Sequence, residues 1–165
     1  MRTLILTLFC IGFQSPAANL VIAQEGSAPK QPAAAELSPA QKELHAKFTK
    51  LLTGSKFRGQ FTLDGKPLND LHEEAYDIDK VEKLPEGDMW AITCRIKYGK
   101  HDVTVPIAIE VKWAGTTPVL TMDNLVIPGM GTFGARVVLH KDKYAGTWQH
   151  DDAGGHLFGK IELAK

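Results

Sequence analysis

The sequence lacks most of the features from which an activity is usually read. It has no Gly-x-Ser-x-Gly elbow, no His-Glu-x-x-His pair, no phosphate-binding glycine loop and no Cys-x-x-Cys. That removes the motif-borne routes to serine hydrolysis, zinc proteolysis, nucleotide binding and dithiol redox work, and no motif calls for a cofactor. Charge of one sign is also missing: 19 Lys and Arg stand against 19 Asp and Glu. A nucleic acid or an anionic membrane surface wants a basic face, so neither is an expected partner. Cysteine is scarce, with only Cys10 and Cys94. Apart from one run at the start, no apolar stretch approaches the roughly 20 residues that span a bilayer, so no membrane insertion is expected of the chain beyond that run.

The first run is informative. Met1-Arg2-Thr3 makes a short positive start, Leu4 to Phe13 is apolar or small apart from Thr7, and Gln14-Ser15-Pro16 ends it. Small residues suited to processing come next at Val21-Ile22-Ala23, or earlier at Ser15-Pro16-Ala17. The layout predicts a signal peptide over residues 1–23 and export to the periplasm or the medium. Phe9 stands where lipidation at Cys10 would need a small residue. Once Cys10 is removed, Cys94 is alone and no internal disulfide can form. Residues 24–37 (QEGSAPKQPAAAEL) show no apolar period and read as a flexible leader. Residues 38–165 are left as a single helix-plus-β domain.

Within it, Ser38 is an expected N-cap, Pro39 suits the first helical turn and Gln41 completes a capping box. Leu44, Phe48, Leu51 and Leu52 then share one helix face, and Gly54 is an expected stop. Beyond Lys56 the period is two. Phe57, Gly59, Phe61 and Leu63 alternate into an Asp64-Gly65 turn. Tyr76, Ile78 and Val81 break step over a strand near 76–84 and predict a bulge. Trp90, Ile92, Cys94, Ile96 and Tyr98 share a face, as do Val103, Val105, Ile107, Ile109, Val111 and Trp113. Pro106 within the second run predicts a bend or a free edge. Short runs at 119–122 and 125–127, then 133–139, 144–150 and 156–163, complete seven or eight strands with an Asp142-Lys143 turn and a 151–155 loop between the last three. The expected class is mainly β: an antiparallel meander forming a small barrel or sandwich, preceded by one amphipathic helix.

No residue set reads as catalytic. Cys94 shares its face with Trp90 and Ile92 and is expected to be a buried, inert thiol. Glu73, Glu74, Asp77 and Asp79 lack the tight turn and central glycine of a calcium loop and are expected on a solvated strand face. The C-terminal hairpin carries the candidate ligand-binding residues: Trp148, His150, His156 and Phe158. A five-residue loop at 151–155 would set His150 opposite His156 and Trp148 opposite Phe158. A two-residue turn at Asp142-Lys143 would bring Val137 beside Trp148. Three readings stay open for this patch. It could be a loop end with Trp148 as core, a mouth that holds a small molecule or an exported protein's side chain, or a metal site adding Asp151 or Asp152 to the imidazoles. Two histidines make half a zinc set, and His101 and His140 have no evident route to them, so no metal is assigned.

Three stretches, VPIAIEVKWAG (105–115), IPGMGTFGARVV (127–138) and YAGTWQHDDAGGHLFGKI (144–161), resemble a family of small exported bacterial proteins with no assigned activity. The resemblance covers Ser38 to Leu163 and implies export and a compact β-rich domain. Gly146-Thr147-Trp148 also looks like the Gly-x-Trp signature of lipocalin and avidin-type barrels, where it lies on the first strand rather than next to last. The expectation is a non-catalytic exported binding protein for a small molecule, a surface polymer or a protein partner. The alternatives are a metal-dependent, hydrolytic protein built on His150 and His156, and a structural surface component.

Overall fold

In a computed structural model of the protein, residues 36–98 and 101–163 are described. The segment read as an export signal, and the leader up to residue 35, lie outside them. The helix α1 runs Pro39–Leu52. Ser38 Oγ accepts from the Gln41 N–H (3.3 Å) and Gln41 Oε1 from the Ser38 N–H (2.9 Å), so the capping box forms as its residue types require. Gly54 takes φ of 74°, the left-handed turn that ends the helix.

Eight strands follow: β1 (Lys56–Phe61), β2 (His72–Lys83), β3 (Met89–Tyr98), β4 (His101–Ala114), β5 (Thr117–Ile127), β6 (Gly131–His140), β7 (Lys143–His150) and β8 (Ala153–Glu162). Each pairs antiparallel with its successor, and β1 pairs with β8, which closes a barrel rather than a sandwich. Closure leaves no full-length edge strand exposed. The interior faces of β3 and β4 are the alternating sets expected from the sequence, with Trp90, Ile92, Cys94, Ile109 and Val111 all buried. α1 lies across the end where β3 begins and β4 ends. Phe48 packs edge-on against Trp90 (4.7 Å between centroids) and Trp113 (5.7 Å), and Leu52 reaches the barrel interior.

The β2 bulge falls where the sequence breaks step, between Ile78 and Lys80. Pro106 lies in a part of β4 with one open side. β4 pairs with β5 only over Glu110–Ala114, because a bulge between Met122 and Leu125, with Asn124 at φ of 50°, turns β5 away. Arg136 fixes that bulge by donating to the Met122 carbonyl and to both carboxylate oxygens of Asp123.

Two expected registers are corrected. The β6–β7 turn is Lys141-Asp142, with His140 opposite Lys143, so Val137 faces Gly146 and Ala135 faces Trp148. This slide of two residues keeps every face. The β7–β8 connection is a two-residue turn at Asp151-Asp152 instead of a five-residue loop, and His150 faces Ala153. That slip is odd, so it turns β8 over. Gly154 and Gly155 belong to the strand, and a Cβ on Gly155 would stand 2.0 Å from the Thr62 carbonyl oxygen.

The β1–β8 seam depends on absent side chains. Gly59 pairs directly with Gly159, and a Cβ on Gly59 would lie 2.3 Å from both the Phe158 carbonyl oxygen and the Tyr144 hydroxyl. Gly59→Ala is therefore expected to cost about 2 kcal/mol or more in urea denaturation. Gly65→Ala, at φ of 77° with open space around it, should cost only about 1 kcal/mol. Equal losses would remove the close-approach account of the seam.

Candidate functional site

The barrel encloses a half-open cavity of about 170 Å³. Most of its lining is aliphatic or aromatic, drawn from the inward positions of all the strands and from Leu52. The inward side chains of β3, Ile92, Cys94 and Ile96, are buried. Those flanking the short β4–β5 ladder, such as Val105, Ile107, Leu120, Met122 and Leu125, are half-buried.

One carboxylate stands in this mostly apolar lining. Glu74 is inward on β2 and 6 % exposed. Tyr144 on β7 donates to its Oε1 (2.8 Å) and Tyr76 on β2 to its Oε2 (2.9 Å). The Tyr144 ring reaches β2 by crossing the two seam glycines, and it stacks at a tilt on Phe57 (4.9 Å). Burial raises the Glu74 pKa, and the two tyrosine hydrogen bonds only partly oppose this. Burial, reinforced by the Glu74 charge, pushes both phenols up as well, Tyr76 well above the usual range. Cys94 is pushed up to about 11 by burial, then by Asp79, which matches the inert thiol expected of it.

The sequence pattern predicts Glu74 on a solvated face with Glu73, Asp77 and Asp79. This is corrected for Glu74 alone. Glu73 and Asp79 are exposed, and Asp77 pairs with Arg58 on the outside. The missed signal was parity: Glu74, Tyr76 and Ile78 are in step, so a strand beginning at His72 instead of Tyr76 carries the carboxylate inward with the other two.

The four candidate residues of the last hairpin are separated by the β8 register. Trp148 and His150 point inward and line the cavity. The Trp148 Nε1 donates to the Thr62 carbonyl (3.2 Å), and its ring meets Phe61 edge-on (5.4 Å). His150 stacks on Phe133 (4.3 Å, 12° between planes), and its Nε2 is hydrogen-bonded to the Met130 carbonyl at the β5–β6 turn. Phe61 stacks in turn on His72 (5.2 Å). These rings form a collar at the end away from α1. His156 and Phe158 face outward. His156 meets Thr62 Oγ1 through its Nδ1 (3.4 Å) and its backbone N–H (3.0 Å). Phe158 is 43 % exposed, beside Ala145 and Gln60. The expected pairing of the two imidazoles is not formed. Among the described residues, no three His, Cys, Asp or Glu side chains converge on one point.

No family model matches the chain, and no curated protein matches it.

The cavity can therefore hold an apolar body against the Glu74 carboxylate. A raised pKa means that the folded state holds the Glu74 proton more tightly than the unfolded chain does. The associated stability is present below the ordinary carboxyl range and is lost as pH rises through the folded pKa. Among the described side chains, the groups facing Glu74 are the Tyr76 and Tyr144 phenols, and Gly59 and Gly159 present none. Thermal melts of wild type and Glu74→Gln, each from pH 4 to 8, should show the wild type losing ground to the variant as pH increases. A constant difference across that range would contradict an ionising buried carboxyl.

Proposed function

We propose that this chain is an exported, non-catalytic binding protein that holds a small, mostly apolar molecule inside its barrel. The observation that carries the reading is the cavity itself: about 170 Å³, half-open, walled mostly by apolar side chains, with the Glu74 carboxylate among its few polar groups. Concave, largely apolar sites with few convergent polar groups are the usual form of small-molecule sites. A dry engineered cavity of about 150 Å³ accepts benzene, so the ligand is on the scale of one ring. Trp148 and His150 serve as walls near the collar, and the ligand passes between β4 and β5, where the ladder is shortest.

Export rests on the Arg2-led apolar run that ends before Gln14. A soluble rather than membrane-inserted barrel is supported by the sidedness of the wall. Arg95, Asp102, Lys112 and Arg136 form ion pairs on the outside while the inside is apolar, the reverse of a barrel that faces lipid.

Toluene titrated into the protein should shift the methyl resonances of Ile107, Leu120 and Met122 and the indole N–H of Trp148, with sub-millimolar affinity. Ala135→Leu, which adds volume to a buried wall position between Met122 and Trp148, should weaken binding roughly tenfold or more while leaving the strand spectrum unchanged. Shifts confined to surface residues, or an unaltered affinity in Ala135→Leu, would overturn the cavity reading.

A further inference from the structure

Glu74 is a buried acid with donors but no counter-charge. Its carboxylate accepts one phenol on each oxygen, and a carboxylate oxygen has room for a second donor. Among the described residues no Lys, Arg or His pairs with it. The nearest candidates by register, Arg58 and Lys97, both stand opposite Ala75 on the outer face; Arg58 is bound to Asp77 and to the Phe57 and Tyr76 carbonyls, and Lys97 is exposed. The strands on the seam side offer only Gly59 and Gly159, so no movement of a neighbouring side chain there can neutralise the group.

Resting on the cavity reading above, we propose that the ligand is a small amine bearing one apolar ring or a short apolar chain, bound as its ammonium with Glu74 as counter-ion. Two phenol hydrogen bonds hold the carboxylate but do not neutralise its charge; a cation delivered into hydrogen-bond reach does, whereas a neutral ligand of the same shape does not. The ammonium supplies donors for the unused lone pairs of the carboxylate. Tyr76, Tyr144 and Trp148 also line the cavity, and aromatic rings near a bound cation favour it. The apolar remainder of the lining takes the ring. Carboxylates are excluded by the same geometry, because their charge would sit against Glu74 with no cation between.

Toluene, benzylamine, benzyl alcohol and phenylacetate share one ring and differ in the group that would meet Glu74. Calorimetric titration of the protein at pH 7 should rank benzylamine above benzyl alcohol by roughly tenfold or more, with phenylacetate not bound. In Glu74→Gln the preference for benzylamine over benzyl alcohol should fall to near parity. Equal affinities for benzylamine and benzyl alcohol in the wild type, measurable phenylacetate binding, or a preference that survives in Glu74→Gln would overturn the amine assignment. The first two are read without any variant, so the test holds even if Glu74→Gln does not fold. Retention of toluene alongside any of them leaves the cavity reading standing. Failure of all four probes, toluene included, overturns both.

Discussion

The structure depends on one side chain crossing a gap that two glycines leave open. Tyr144 extends from β7 over Gly159 of β8 and Gly59 of β1 to donate to Glu74 on β2. Four strands are thereby tied across the junction where the first strand meets the last. In an up-and-down barrel that junction joins the residues most distant in sequence, and its closure carries the largest loop entropy. The glycines make the strands approach closely, the ring covers the backbone they leave bare, and the carboxylate gives the ring a fixed destination.

The same arrangement sets the polarity of the interior. A carboxylate among apolar walls is tolerated because its two oxygens are each held by a phenol, and a buried group that is hydrogen-bonded costs far less than one that is not. Glu74 thus belongs at once to the closure and to the cavity. Trp148 repeats the pattern elsewhere in the interior: a large ring opposite Gly155, with its N–H given to the Thr62 carbonyl of the segment beyond.

Much of this was legible in the sequence, and the reasons for the rest are physical. β3, β4 and β6 alternate apolar with polar, so their inward sets could be read directly, as could the helix from its capping box and stripe. The bulge in β2 showed as a lost step between Ile78 and Val81. β8 misled because its inward positions include Gly155 and Gly159 while Phe158 faces out, so neither parity looks like a core. Glycines chosen for what crosses them carry no apolar signature of their own. Glu74 was misread because a carboxylate on a strand is usually wet, and the Tyr144 that receives it comes from 70 residues away. Of the hairpin residues chosen as a site, the two on β7 kept their face, and the two on β8 lost it to a turn shorter than expected.

The short ladder between β4 and β5 gives the barrel a wall of unequal strength. β1 is fastened over its full length on both sides, but β4 is joined to β5 only over Glu110–Ala114, at the end that α1 covers. Motion at this place strains few backbone hydrogen bonds, so the interior can exchange its contents while the helix and the glycine seam stay put. An unfastened margin also invites another chain to add a strand. Pro106, which has no N–H to offer, lies within that margin and makes it a poor template.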